Sequence, residues 1–155
     1  WPDVLSQKVL YRGAYFRAAS PSTAHHARAL VAATLADWRI LPVLDDAVMC
    51  VSELVANAVE HADQPVVGTV DERRISVGVR CWGSSALFLE VGDYDRRMPK
   101  PAENPDSTSV DGRGLLIVEK LADRLWWERA AHGGKVVYCR FHLPRYGLSK
   151  SMVGP

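Results

Sequence analysis

Residues 53–62 read ELVANAVEHA, and this stretch says more about the fold than any other part of the chain. Glu53, Asn57 and His61 are spaced four apart, so on a helix they lie along one stripe over successive turns. Apolar residues between them predict a helix that packs on a sheet. Because asparagine is mildly unfavourable inside a helix, its presence calls for a further reason. Two interpretations stay open here: a site for a cation and a phosphate, or a solvated polar edge.

Length and composition are those of a single globular domain. The chain has 155 residues, of which 48% are hydrophobic and 24% are charged, as in ordinary soluble proteins. Its formal net charge is +1 and its arginines are scattered, so no field that attracts nucleic acid or anionic lipid is expected. No apolar run reaches the roughly 20 residues that span a bilayer. We therefore expect neither a nucleic-acid partner nor a membrane partner.

The cysteines predict a reducing environment. Cys50, Cys81 and Cys139 are odd in number, widely spaced and set in apolar surroundings. Without a CxxC pair or a Cys/His cluster, a zinc site is not expected. Buried free thiols in the cytoplasm are the simplest interpretation.

Hydrophobic periodicity predicts eight regular elements. Strands are expected at 9–18, 74–82, 86–92, 124–128 and 135–143, and helices at 24–38, 43–62 and 114–123. Ser20 and Pro21 resemble a helix cap followed by a proline in the first turn. Residues 94–111 hold three prolines and form a long loop, of a kind that is usually functional.

This order of elements predicts an α+β fold, a two-layer sandwich in which three helices cover one face of a mixed β-sheet. The expected divisions are an N-terminal extension at 1–8, the domain at 9–143 and a frayed C-terminal tail at 144–155.

Two further motifs lie after the opening helix. Asp93 ends a strand in the sequence VGDYD, and Gly112 and Gly114 flank Arg113 just before the third helix. Glycines there let backbone amides approach phosphate oxygens at the positive end of the helix. A cation at a helix start is poorly placed electrostatically, which favours a phosphate partner for Arg113. Each motif alone is weak evidence, but their order and spacing together are much stronger.

With these motifs the chain resembles the GHKL superfamily of ATPases, and it is most similar to the actinobacterial anti-sigma-factor serine/threonine kinases. The resemblance covers roughly residues 15–143. ELVANAVEHA matches the N box, VGDYD the first glycine box, GRGLLIVEKLADR the second, and GGKVVYCRF the closing hairpin. The resemblance implies a Bergerat-type ATP-binding fold.

The resemblance also implies a role for each matched residue. Glu53 would orient or deprotonate the attacking hydroxyl or water, and Asn57 would coordinate Mg²⁺. His61 would lie near the phosphates, and Asp93 would accept a hydrogen bond from the adenine amino group. The ATP lid would be residues 96–111. The phosphate chain would be held at the start of the third helix, by Gly112, Arg113, Gly114 and Leu115.

Three positions depart from the family pattern. Asp95 stands where a glycine is usual in the first glycine box, and the neighbouring Tyr94 is bulky. After Gly134 the usual small hydroxyl residue is absent, and Lys135 and Val136 follow instead. These departures predict weak nucleotide affinity.

As a function, the resemblance implies an ATP- and Mg²⁺-dependent kinase that phosphorylates a serine or threonine of a small antagonist. In a partner switch it would bind either that anti-sigma-factor antagonist or a sigma factor. A homodimer is also compatible with the family. Two alternatives stay open: a non-catalytic interaction module on the same fold, and the catalytic domain of a sensor histidine kinase. The short lid and the helical segment before the N box argue against the second.

Overall fold

A computed structural model describes residues 8–62, 73–93, 112–131 and 133–148, except for the side chains of residues 61 and 62. Its regular elements agree with the predicted ones to within about two residues at each end. The strands are β1 (Val9–Arg17), β2 (Arg74–Trp82), β3 (Ala86–Asp93), β4 (Arg124–Arg129) and β5 (Lys135–His142). The helices are α1 (Thr23–Asp37), α2 (Leu44–Ala62) and α3 (Arg113–Leu121), with short 3₁₀ turns at Leu41–Val43 and Leu143–Tyr146.

The five strands form one sheet in the order β1-β2-β3-β5-β4. The predicted α+β sandwich with three helices is confirmed, but one detail differs. A mixed sheet was expected, whereas all four pairings between the described strands are antiparallel. The physical reason is the position of β5. The connection through α3 makes β3 and β4 run in the same direction, but β5 lies between them and pairs with both.

The core lies between the sheet and the helices. One inward row crosses all five strands, because register aligns residues of the same parity. In that row Val91 pairs with Val77 on one side and with Val137 on the other. All three are at most 3% exposed. From above, α2 adds a buried apolar face made of Val51, Leu54, Val55 and Ala58. The buried side chains therefore follow a period of two residues in the strands and of 3.6 residues in α2.

The opposite face of the sheet is more open and rich in aromatic residues. Tyr11 and Tyr15 are 56% and 73% exposed. Trp126 stacks on Tyr138, with ring centroids 5.2 Å apart. Trp127 instead packs against the core, so the two adjacent tryptophans point to opposite faces.

Two local predictions are wrong. The first helix begins at Thr23 after Ser22, not at the predicted cap Ser20. The Thr23 hydroxyl donates to the carbonyl of Arg17 at 2.5 Å and ties the helix start to the end of β1. Fraying does not begin at residue 144 either. The Tyr146 hydroxyl donates to Asp46 at 2.6 Å.

The prediction that the three cysteines are free and buried is confirmed. Burial raises the pKa of the Cys81 thiol to about 11, so the nucleophilic thiolate is scarce at neutral pH. None of the helices in the described parts of the chain is long and apolar enough to cross a membrane.

Candidate active site

The first component of the site is the contact between α2 and the start of α3. Because α2 packs its apolar face on the sheet, Glu53 and Asn57 lie at the edge of that face, half-buried and one turn apart. The start of α3 meets this edge at Gly114. A Cβ atom at Gly114 would collide with the Glu53 carboxylate. Only glycine therefore lets α3 begin directly against that carboxylate.

The N-terminus of α3 is shaped by a second glycine. Gly112 has φ 86°, in the left-handed region that glycine adopts without steric cost. Its carbonyl accepts the N–H of Leu116 at 3.3 Å, so the amides of residues 113–115 lie before the first intrahelical bond. These amides carry the partial positive charge of the helix N-terminus, which favours an anion.

The two other predicted residues of this segment differ in exposure. Arg113 is exposed to solvent. The side chain of Leu115 is 2% exposed and belongs to the core. Only the backbone of Leu115 is therefore available for the predicted role.

The second component lies at the end of β3. Asp93 is the last residue of β3 and is paired in register with Lys135, the first residue of β5. The Lys135 ammonium donates to the Asp93 carboxylate, with Nζ and Oδ1 3.1 Å apart. Their side chains are 2% and 3% exposed. The carboxylate predicted to meet adenine thus has a buried cation as a partner.

Typical magnitudes show which partner Asp93 prefers. Breaking a buried ion pair by removing one member costs about 3–5 kcal/mol, because the other charge stays buried without its counter-charge. A hydrogen bond to a charged group contributes about 1.5–3 kcal/mol. We therefore expect Lys135 to stay paired with Asp93 in the presence of an adenine amino group.

In the sequence, Lys135 stands out only as a departure from the family pattern, and its pairing with Asp93 was not predicted. A signal was present in the strand alternation. Lys135 has the same parity as the buried Val137 and Cys139, and Asp93 the same parity as the buried Val91. Period two therefore places both charges on the core face of the sheet.

Several predicted features lie outside the described residues: the His61 side chain, Tyr94, Asp95 and the lid at 96–111. Within the described residues there is no cluster of three or more His, Cys, Asp or Glu side chains that could hold a metal ion. The predicted Mg²⁺ ligand Asn57 is an amide oxygen, a type suited to a hard cation that also takes phosphate and water ligands.

Comparison with known proteins identifies the family. A model of the histidine kinase-like ATPase domain matches residues 17–141. The chain belongs to this family. No curated protein matches it in sequence.

Among solved structures, the fold is similar to the RsbU and RsbW domains of Rv1364c from Mycobacterium tuberculosis, with a TM-score of 0.61 and 22% identity. The match covers 86% of this chain and 32% of the chain in that structure. At this identity the likeness concerns the fold alone.

The two ends of the site fit a nucleoside triphosphate differently. At the α3 end, Gly112 and Gly114 leave backbone amides beside Glu53 without a side chain in the way, as a phosphate chain requires. At the sheet end, Asp93 offers the carboxylate that an adenine amino group needs, but Lys135 already binds it. The α3 end therefore suits a triphosphate, whereas at the sheet end the carboxylate predicted to meet adenine already accepts a hydrogen bond from Lys135.

Proposed function

We propose that this domain is an ATP-dependent regulatory protein kinase of the anti-sigma-factor type. It transfers the γ-phosphoryl group of ATP to a serine or threonine of a small antagonist protein. Membership of the histidine kinase-like ATPase family supports ATP as the phosphoryl donor. The single observation that carries the proposal is the contact between the Glu53 carboxylate and Gly114 at the start of α3.

That contact gives the transfer a simple geometry. Phosphates held by the amides at the start of α3 lie next to Glu53, so a substrate hydroxyl that donates to Glu53 lies close to the γ-phosphorus. The hydroxyl oxygen forms a bond to phosphorus, Glu53 takes the proton, and the bond to the departing ADP oxygen breaks. Arg113 is exposed at the same helix start and adds a positive charge for the phosphates.

A divalent cation completes the charge balance of the site. Asn57 lies one turn beyond Glu53 on α2, and its amide oxygen would hold Mg²⁺ together with phosphate oxygens. The metal supplies positive charge that neutralises the triphosphate as it reacts. Asn57→Ala should therefore weaken binding of Mg-ATP more than binding of metal-free ATP.

Regulation would follow from exclusive binding of two partners. The sequence resemblance to anti-sigma-factor kinases supports an antagonist substrate and a sigma factor as the two alternatives. Phosphorylation of the antagonist would release it and free the kinase for the sigma factor. A homodimer stays a prediction from the same resemblance.

Transfer of labelled phosphate tests this proposal. The purified domain, Mg²⁺ and γ-labelled ATP should phosphorylate a candidate antagonist, giving acid-stable phosphoserine or phosphothreonine by mass spectrometry. Glu53→Gln should lower the transfer rate about 10²–10⁴-fold, the usual contribution of a positioned general base. Glu119→Gln, an exposed position on α3, is the matched control and should leave the rate unchanged. Equal rates for Glu53→Gln and the wild type would show that Glu53 is not the base.

A second candidate function is a non-catalytic interaction module, and the buried Lys135–Asp93 pair favours it. If this alternative holds, the Glu53→Gln variant should still bind its partner proteins and regulate them in the absence of ATP. Regulation that requires ATP and intact Glu53 excludes this alternative.

A further inference from the structure

The Lys135–Asp93 pair is unusual for the interior of this domain. Among the described residues, the buried polar or charged side chains are few: Thr23, Thr34, Asp93 and Lys135. Thr34 donates to the carbonyl of Leu30 and Thr23 to that of Arg17, which are local structural bonds. The ion pair instead joins residues 42 positions apart. It lies at the sheet end of the candidate site.

We propose that Lys135 determines nucleotide selectivity by occupying the carboxylate that would otherwise bind the base. Its ammonium takes the place of the adenine amino group as the donor to Asp93. The nucleotide is then held mainly through its triphosphate, and the base adds little affinity or selectivity. This inference rests on the proposed ATP-binding function and specifies how the same site treats the base.

The strand register keeps the ammonium in place. Lys135 and Asp93 are directly paired between β5 and β3, inside a sheet whose next inward pair, Val91 and Val137, belongs to the core. Moving the ammonium away would separate it from its counter-charge while its stem stays buried. Neither adenine nor guanine offers a positive charge to replace it, and the Asp93 side chain is only 3% exposed, so little of the carboxylate is accessible to either base.

Binding measurements with three ligands test this directly in the wild-type domain. Calorimetric titration with ATP, GTP and inorganic tripolyphosphate, each with Mg²⁺, compares two bases with none. We expect the ATP and GTP dissociation constants to agree within about threefold, and tripolyphosphate to bind within about tenfold of ATP, since about tenfold is the least that one hydrogen bond to a charged group contributes.

Lys135→Thr should release Asp93 for the base. Threonine suits a strand and leaves space beside the carboxylate. We expect ATP affinity to rise at least about tenfold while GTP and tripolyphosphate affinities stay unchanged. Lys120→Thr removes the same charge from an exposed site on α3 and is the matched control, with no selective gain for ATP.

The possible results separate the two proposals. A wild-type domain that prefers ATP over both GTP and tripolyphosphate by more than about thirtyfold overturns the inference and leaves the kinase proposal intact. A selective loss of ATP affinity in Lys135→Thr also overturns it, because Lys135 would then help to bind adenine. Absence of binding for all three ligands, in the wild type and the variant alike, overturns the proposed function itself. If Lys135→Thr does not fold, the wild-type comparison alone decides.

Discussion

The two ends of the candidate site differ in how they are built. At the α3 end, missing side chains are essential: glycines at 112 and 114 allow a left-handed turn and direct contact with the Glu53 carboxylate. At the sheet end, a long side chain fills the site, because Lys135 extends to Asp93. We call the first the open end, because its glycines leave room beside the backbone amides, and the second the closed end, because Lys135 is paired with Asp93 there.

This difference shows that the parts of a binding site depend on the fold to different degrees. The α3 end is built from backbone, so its chemistry survives as long as the glycines do. The sheet end depends on a single side chain at the first position of β5. We expect one substitution there to change selectivity without altering the strands or their register.

The largest effect is expected from a substitution that breaks the ion pair at the closed end. Lys135→Met keeps the buried stem but removes the ammonium, and it should lower the free energy of unfolding by about 3–5 kcal/mol, because the buried Asp93 carboxylate loses its ion pair with Lys135. Urea unfolding measures this loss. Lys120→Met, at an exposed position, should stay within about 0.5 kcal/mol of the wild type.

The double variant Asp93→Asn, Lys135→Met shows whether the loss comes from the broken pair. Removing the second charge should recover most of the stability, since a neutral pair leaves no buried charge. A loss below about 1 kcal/mol in Lys135→Met would mean that water compensates the charge and that the end is not closed.

The next largest effect is expected from a substitution that adds a side chain at the open end. In Gly114→Ala the new Cβ collides with the tip of the Glu53 side chain, which is flexible and moves aside. The free energy of unfolding should change little, because alanine favours the helix by about 1 kcal/mol relative to glycine and this gain offsets the cost of moving Glu53. Phosphoryl transfer should fall about 10²-fold, the usual cost of displacing a catalytic group by about 1 Å. A steady-state kinase assay with a thermal unfolding curve measures both.

Gly147→Ala is the reciprocal control for that substitution. Gly147 has φ +75°, and no atom lies within 4 Å of the position that a Cβ would take there. Alanine there should cost about 1 kcal/mol through backbone strain and leave phosphoryl transfer unchanged. Equal activity in the two variants would show that Glu53 does not depend on its contact with Gly114.

How far the sequence predicts this molecule follows the same division. The helix α2 and the strand β2 were predicted almost to the residue, because their apolar periods are long and regular. The start of α1 was misplaced, since Ser20 and Ser22 are both acceptable caps and only the bond from Thr23 to Arg17 distinguishes them.

Within the site, motif spacing predicted the open end and not the closed one. Glu53 and the glycines at 112 and 114 carry a local signal, because helix caps and turns demand particular residues. The pairing of Lys135 with Asp93 depends on which strand neighbours β3. The sheet order places β5 there instead of β4, and local sequence does not encode that order.

The smallest expected effect compares the buried pair with an exposed one. Arg12 and Asp37 form an ion pair at 2.7 Å, shorter than that of Lys135 and Asp93, but their side chains are 39% and 59% exposed. Asp37 is also the last residue of α1, where a negative charge is unfavourable for the helix dipole. Asp37→Asn should therefore change the free energy of unfolding by less than about 0.5 kcal/mol.

Salt separates the two pairs further. Added NaCl of about 0.5 M should remove what remains of the Asp37 effect, because it screens exposed charges within a few ångströms. The loss in Lys135→Met should persist at the same salt concentration, since a buried pair is screened much less. If Asp37→Asn instead cost as much as Lys135→Met, separation of the charges rather than burial would govern ion-pair strength in this domain, and the closed end would not be special.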